Sequence, residues 1–455
     1  MKTTRKLISA LTLSLLASSV LAAVSPEEAS QLGTLLTPLG AEKAGNADGS
    51  IPAWTGGLGK GAAAVDERGF LTDPFAGEQP LFTITAQNVA QYRDKLSEGQ
   101  AAMLERYPDS YQMPVYATHR STAVPQAIYQ AARVSALQTE LIEGGNGLKN
   151  FAESRYYPFP IPQSGLEVLW NHMTRYRGGN QRSTTVLATP QVNGAFTPVH
   201  VEEEVAFPDG MPDLATDKAD NALLFFKQRV TAPSRLAGNV LLVHEFLDQV
   251  KEPRMAWLYN AGQRRVRRAP QVAYDGPGMA SDGLRTSDNF DMYNGAPDRY
   301  DWKLLGKREM YIPYNNYRLA SSRLKYSDIL KAGHTNQELA RYELHRVWVV
   351  EATLKAGERN IYAKRRFFIA EDSWQIAASE FYDGRGQLWR VGQSMLLQNY
   401  AAETPASAFD ALYDLLSGRY VASGLRNEEK RPAEFGTLAS IKDFTPAALR
   451  SAGVR

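Results

Sequence analysis

The six histidines of this 455-residue chain are the residues best suited to acid–base or metal chemistry, and their spacing favours neither. No two stand at the separation that would place a metal-binding pair on one helix or strand. The chain has no cysteine, nucleophile elbow, phosphate-binding loop or dinucleotide fingerprint. His172 and His345 are the candidates for a special role, although such histidines are more often hydrogen-bonded structural residues. We therefore predict no catalytic residues, no metal site and no cofactor.

Aromatic side chains are abundant where apolar and polar residues alternate with a period of two. Trp257 shares a strand face with Tyr259, and Leu344, Trp348 and Val350 share one face of a second strand. Apolar groups held on a rigid sheet can bind a hydrophobic ligand with little loss of side-chain entropy. We predict these five residues as a ligand-binding site. The alternative is that the same side chains fill an ordinary core.

Strands joined by short turns must position those side chains. Residues 342–355 alternate as a long strand, and three further strands follow, separated by turns at 356–359, 371–372 and 383–386. Four strands joined in this way form an antiparallel meander. Helical spacing predicts helices over 85–107 and 125–143, and a short one over 409–416. The predicted fold is therefore α+β: a curved antiparallel sheet forming an incomplete barrel, with helices of the 85–143 region covering its concave face.

The first residues resemble an export signal. Lys2, Arg5 and Lys6 form a basic head, residues 7–16 are mostly apolar, and small residues stand at 22–23. The expected organisation is a signal peptide (1–23), a loop-rich segment (24–80), a helical cover (81–150), the β half-barrel (151–425) and a C-terminal tail (426–455). We thus expect a periplasmic protein, either free or in peripheral contact with a membrane, and association with the outer membrane stays open.

Charge and cysteine content narrow the partners. The whole chain carries 51 Lys and Arg residues against 49 Asp and Glu residues, and cleavage of the signal would leave a net charge close to −1. Such a balance lacks the broad positive field that nucleic-acid binding requires. Without cysteines there are no disulfides, so burial alone must stabilise the fold. We expect a hydrophobic small molecule or lipid as the partner, and no nucleic acid.

Several long blocks carry a family resemblance. They are LTPLGAE at 36–42, AGN at 44–46, WTGG at 54–57, YPFPIP at 157–162, GLEVLWNHMTRYRG at 165–178, KREMYIPYNNYRL at 307–319 and the segment 346–374. Together they resemble an uncharacterised Gram-negative family, the domain of unknown function numbered thirteen twenty-nine. That family is similar to lipoprotein carriers of the LolA/LolB type, which wrap an incomplete barrel round a hydrophobic cavity under a helical lid. This chain is roughly twice as long as those carriers.

The resemblance implies a periplasmic binding protein or carrier for a lipid or other hydrophobic ligand. Because family members accompany transporters of the resistance-nodulation-division (RND) type, it also implies such a transporter or an outer-membrane protein as a partner. Two alternatives stay open: a periplasmic hydrolase acting on an envelope component, and a non-catalytic docking subunit of a transport complex. An open apolar cavity favours the carrier. A polar cleft where His172 or His345 meets an acid and a hydroxyl favours the enzyme, and a filled barrel favours the docking subunit.

Overall fold

The computed structural model describes residues 23–453 except residues 250, 270, 271 and 273. The predicted signal peptide therefore lies outside the described residues, apart from Ala23. None of the helices formed by the described part of the chain has the length and apolar character needed to cross a membrane. The α-helices are α1 (Pro26–Ala29), α2 (Glu98–Arg106), α3 (Gln126–Gln138), α4 (Gly165–Thr174), α5 (Thr216–Ala219), α6 (Tyr326–Ile329) and α7 (Ala448–Gly453).

The strands make one large sheet and one small two-stranded pair. They are β1 (Phe82–Ile84), β2 (Met113–Val115), β3 (Glu140–Leu141), β4 (Leu148–Lys149), β5 (Gln181–Ala188), β6 (Val199–Ala206), β7 (Ala222–Ala232), β8 (Val240–Phe246), β9 (Met255–Asn260), β10 (Arg265–Arg268), β11 (Tyr300–Pro313), β12 (Tyr342–Leu354), β13 (Lys364–Ala370), β14 (Ile376–Tyr382), β15 (Leu388–Asn399), β16 (Thr404–Asp414), β17 (Tyr420–Leu425) and β18 (Glu434–Phe435).

Within the described residues, the large sheet has sixteen strands and is open. Its order is β1-β2-β12-β13-β14-β15-β16-β17-β5-β6-β7-β8-β9-β10, with β11 paired to β12 and β18 to β5. The pairings are antiparallel except for one parallel bridge between Tyr342 and Val115. The sheet is curved, because β11 also lies against β14 and β15, which are not its neighbours in strand order. The α+β fold with a curved, open antiparallel sheet is confirmed.

The predicted meander is present as β12 to β15. Its cross-strand row runs from Val349 to Phe368, on to Ala378 and then to Gln393. The helix predicted over 409–416 is wrong, because residues 404–414 form β16. Both faces of β16 are covered, with Leu412 and Tyr413 in different hydrophobic clusters. A strand that is buried on both faces loses its period of two and can resemble a short helix.

The region predicted to be helical from 85 to 107 is broken in the middle. A 3-10 helix spans Val89–Lys95, and α2 starts afresh after Ser97. The Ser97 hydroxyl accepts from the backbone N–H of Gln100, and the Gln100 side chain accepts from the backbone N–H of Ser97. This capping box satisfies backbone groups at the start of α2 and fixes a new helix there. The second predicted helix is α3, which ends at Gln138.

Helices lie on both faces of the sheet. Val391 and Gly392 are neighbours on β15, so they face opposite ways. A Cβ on Gly99 of α2 would lie 2.9 Å from Val391, which places α2 on that face. A Cβ on Gly392 would instead lie 2.8 Å from Met292, which shares a hydrophobic cluster with residues of α3 and α4. Thus α3 and the unpredicted α4 cover one face, and α2 covers the other.

The C-terminal segment also packs on the sheet. Phe444 and Leu449, from the 3-10 helix Ile441–Phe444 and from α7, are buried in one cluster with Phe225, Leu242 and Tyr259. These sheet residues belong to β7, β8 and β9 and share one face. Residues 441–453 of the segment expected to be a tail therefore cover the face that is opposite to the cavity described next.

Candidate functional site

A cavity of about 420 Å³ lies on the face of β5 to β9 that is opposite to the C-terminal segment, beside β16 and β17. Ligand pockets of proteins usually have volumes of roughly 300–1,000 Å³. Four adjacent strands contribute six apolar residues to its wall. These wall residues are Val205, Leu224, Phe226, Leu241, Val243 and Leu258.

Strand register explains why these side chains meet. Val205 pairs with Phe226, and Phe226 pairs with Val243, so the three form one cross-strand row. Leu241 pairs with Leu258 in the next row. Side chains that are directly opposite on antiparallel strands lie about 4.5–5.5 Å apart at Cβ. These side chains therefore form an apolar patch on a rigid sheet, bordered by Glu203, Gln228 and Glu245, which also line the cavity.

The segment 279–291, which faces this wall, is held in place by buried ion pairs. Met279 and Phe290 of this segment line the cavity. Asp288, two residues before Phe290, pairs with the fully buried Arg365 at 2.6 Å. Asp291, directly after Phe290, pairs with Arg175 at 2.7 Å. Charged groups at these positions fix the segment over the sheet and preform the cavity.

Asp291 also anchors the loop that follows α4. Its carboxylate accepts from both Arg175 and Arg177, which stand just after the end of that helix. Burial opposes ionisation, but the charges of the two arginines hold the pKa of Asp291 well below its usual range. Arg254 and Glu245 form a second buried pair in the cavity wall, at 2.7 Å. These arginines are therefore compensated within the protein.

His172 lies behind the Asp291 anchor and is a structural residue. Its Nε2 donates to the Asp291 carbonyl oxygen at 2.9 Å, and its Nδ1 accepts from the Ile376 N–H at 3.2 Å. Burial, with the nearby positive charge of Arg175, lowers the pKa of His172 to about 3. The ring is neutral at physiological pH. Over the described residues it has no hydroxyl partner, so it does not supply the arrangement expected of a hydrolase.

His345 lies away from the cavity wall. Its Nε2 is 3.0 Å from a carboxylate oxygen of Glu343, and its ring centroid is 4.0 Å from that of Tyr314. Glu343 is fully buried and is also bound by Asn315 and Arg341. This histidine meets an acid, but in a filled part of the protein. No group of three or more potential metal ligands converges within the described residues.

Trp257 and Tyr259 lie together on β9, on the face covered by the C-terminal segment. The Trp257 ring contacts His244 at a centroid distance of 4.9 Å, and Tyr259 is almost completely buried. Neither lines the cavity, whereas Leu258 between them does. The alternation of β9 was therefore recognised in the sequence, but the cavity lies on the face of Leu258.

The other three predicted residues lie on β12, far from β9 in strand order. Trp348 and Val350 share a hydrophobic cluster, and Leu344 belongs to a different one. The Trp348 ring stacks on Trp374 at 6.1 Å, with the Lys307 ammonium 5.1 Å from its centre. None of the three lines the large cavity. Their role in ligand binding stays a prediction.

The sequence contained only a partial signal for the cavity. Alternation marks both faces of a strand equally, and nothing local to β9 says which face the C-terminal segment covers. The arginines after α4 belong to a block that was recognised only as family resemblance. Their pairing with Asp291 joins residues more than a hundred positions apart, and local spacing cannot reveal such a contact.

An open, curved antiparallel sheet with a ligand-sized cavity on one face defines the structural class of this protein. The chain belongs to the family of proteins of unknown function DUF1329, whose sequence profile matches residues 83–450. An uncharacterized protein from Pseudomonas aeruginosa is 65% identical over 457 residues, with 100% of both chains covered.

Three solved structures resemble this chain at low sequence identity. A putative outer membrane lipoprotein-sorting protein domain from Vibrio parahaemolyticus has 15% identity and a TM-score of 0.43, covering 62% of this chain and 97% of that one. A DUF1329 family protein from Desulfovibrio piger has 14% identity and a TM-score of 0.41, covering 59% and 91%. A LolA superfamily protein from Nitrosomonas europaea has 12% identity and a TM-score of 0.37, covering 62% and 98%.

Proposed function

We propose that this protein is a non-catalytic periplasmic binding protein or carrier for a lipid or another hydrophobic ligand. The observation that supports this is the cavity of about 420 Å³, whose wall includes a preformed apolar patch on β6 to β9. Removing apolar surface from water contributes roughly 25 cal/mol per Å². A preformed apolar wall can therefore bind an acyl chain without first ordering itself.

The compartment and partners are part of the same proposal. The basic and apolar pattern of residues 1–23 supports export to the periplasm. We propose an RND-type envelope transporter or an outer-membrane protein as the partner that delivers or receives the ligand, and peripheral contact with a membrane during transfer. The hydrolase and the docking subunit draw less support, because His172 is buried and neutral and the cavity is not filled.

The direct test is binding of a fluorescent fatty acid to the full chain after removal of any co-purified lipid. Wild type should bind the probe, and Leu241→Gln should bind it several-fold more weakly, because a polar amide in the apolar wall loses hydrogen bonds to water when the ligand covers it. Leu416→Gln is the matched control, since Leu416 is 72% exposed and lies away from the cavity.

Mass spectrometry of the protein purified from the periplasm gives a second measurement. A lipid should be recovered with wild type and depleted in Leu241→Gln. A wild-type protein that carries no lipid and binds no apolar probe contradicts the carrier function.

A further inference from the structure

Two arginines in the cavity wall, Arg285 and Arg426, lack the compensation that the others have. Neither forms an ion pair or a side-chain hydrogen bond with any residue that the structure describes. The Nε atoms of both are buried and have no hydrogen-bond partner, as in Arg175, Arg177 and Arg254, but those three pair with a carboxylate through their terminal nitrogens. Arg285 is only 8% exposed. A buried charge without a partner is unfavourable, so proteins rarely keep one without a use for it.

The acids nearest to these arginines are already engaged elsewhere. Glu203 and Asp410 both act electrostatically on Arg285 and on Arg426, yet neither forms a direct ion pair with them. Glu203 accepts from the Gln228 amide at 2.6 Å, and Asp410 accepts from the Ser394 hydroxyl at 2.6 Å. Burial, reinforced by the charge of Asp291, raises the pKa of Asp410 to about 6. Because Arg285 and Arg426 share the same two acidic neighbours, they lie in one part of the cavity.

The cavity combines apolar surface with unpaired positive charge. The wall formed by β7, β8 and β9 carries Leu224, Phe226 and Leu241, and its polar members Gln228 and Glu245 already bind Glu203 and Arg254. The wall near β16, β17 and β5 carries Asp410, Ser423, Ser183 and Gln181, together with the two arginines. A ligand that fills both parts must have an apolar body and a polar end.

We infer that the cavity takes an amphipathic anion, with its acyl chain against β7 to β9 and its carboxylate or phosphate group bound by Arg285 and Arg426. This inference rests on the proposed carrier function and adds the chemical class of the ligand. A guanidinium presents a planar fork of N–H donors that matches the oxygens of a carboxylate or a phosphate. Such contacts are stronger in a buried site than in water.

The test compares a fluorescent fatty acid with its methyl ester, which has the same chain without the charge. Wild type should bind the acid about tenfold or more tightly than the ester, as expected for a charge-assisted contact. Arg285→Gln and Arg426→Gln should each weaken acid binding about tenfold and leave ester binding unchanged. Asp410→Asn should strengthen acid binding, since it removes a competing negative charge. Arg450→Gln, on the exposed face of α7, is the matched control for the loss of one positive charge.

Each outcome separates the inference from the carrier function. Equal binding of acid and ester by wild type overturns the inference and leaves the carrier function intact. Failure to bind either probe overturns the carrier function itself. If an arginine variant does not fold, the opposite effect expected for Asp410→Asn still tests the site.

Two further ligands show whether the site also takes a phosphate headgroup and whether the acyl chain contributes to binding. An alkyl phosphate that competes with the fatty acid extends the site to phosphate headgroups. Inorganic phosphate that binds as tightly as the alkyl phosphate contradicts an amphipathic ligand, because the acyl chain would then contribute nothing.

Discussion

Trp257 and Leu258 are adjacent on β9 and face opposite sides of the sheet. Leu258 is 39% exposed and lines the cavity, whereas Trp257 packs against the C-terminal segment. We expect Leu258→Ala to weaken binding of an apolar fluorescent probe with a loss of unfolding free energy below about 1 kcal/mol. We expect Trp257→Ala to retain binding and to lose more stability, although less than the roughly 3–5 kcal/mol of a fully buried tryptophan. Denaturant unfolding and probe titration measure the two effects separately.

The opposite result for these two variants would place the ligand site on the other face of β9. Trp257→Ala with normal stability and lost binding would support the ligand site predicted at Trp257 and Tyr259. Trp348→Ala provides the same test for the ligand site predicted at Leu344, Trp348 and Val350 on β12, with Leu258→Ala as the comparison.

The sequence predicts the alternation of side chains along a strand, but it does not predict which face of the strand meets the ligand. Whether Trp257 or Leu258 meets a ligand depends on where Phe444 and Leu449 pack, nearly two hundred residues further on. Asp291 is a similar case, since its function as an anchor depends on Arg175 and Arg177, which are distant in the chain. Contacts over such separations leave no periodic trace in either segment.

At the scale of elements, the β9–β10 hairpin combines a cavity residue with a basic edge. Arg264, Arg265, Arg267 and Arg268 are exposed and form no ion pair with a described residue. Arg267 pairs in register with Leu258, so the basic strand adjoins the cavity. This placement favours contact between the hairpin and an anionic membrane surface, where each arginine contributes about 1 kcal/mol.

We expect the triple variant Arg265→Gln, Arg267→Gln and Arg268→Gln to bind vesicles containing phosphatidylglycerol up to roughly 100-fold more weakly than wild type. The matched control changes three exposed arginines elsewhere to glutamine: Arg133, Arg359 and Arg385. Sedimentation with vesicles measures binding, and pure phosphatidylcholine vesicles show the part that does not depend on charge. Equal loss in the two triple variants would mean that only net charge matters.

The sequence predicted elements well where one face is solvated or a turn is strongly marked. The meander of β12 to β15 has Gly or Asp turns, and its four strands lie where the sequence predicts them. By contrast, β16 is buried on both faces, so its sequence resembles that of a short helix, and a capping box at Ser97 divides the first helical region. The arrangement of α2 and α3 on opposite faces has no local signal, because each helix has its own apolar stripe whichever face it covers.

For the molecule as a whole, buried neutral histidines limit stability in acid. Burial lowers the pKa of His172 to about 3 and also lowers the pKa values of His244 and His334. Their folded pKa values lie below the unfolded value near 6.5, so they contribute stability above that pH that is lost as the pH falls. Raised carboxyl pKa values, about 7 for Glu371 and about 6 for Asp410, offset part of this loss.

A difference between wild type and one variant isolates the contribution of His172. A glutamine there can also accept from the Ile376 N–H and donate to the Asp291 carbonyl, but it does not titrate. Between pH 7 and pH 5, we expect wild type to lose about 1–2 kcal/mol more unfolding free energy than His172→Gln. Denaturant unfolding at both pH values measures this difference. Parallel losses in the two proteins would mean that the pKa of His172 is the same in the folded and the unfolded chain.

The separation of the two faces of β7, β8 and β9 also bears on how such a protein can evolve. Phe225, Leu242 and Tyr259 stabilise the fold beneath the C-terminal segment, while their neighbours Phe226, Leu241 and Leu258 form the cavity wall. Substitutions on the wall can therefore change its shape and polarity while the stabilising face stays constant. A single scaffold of this kind can give rise to descendants that differ in cargo, since selection can act on alternate residues of the same three strands independently.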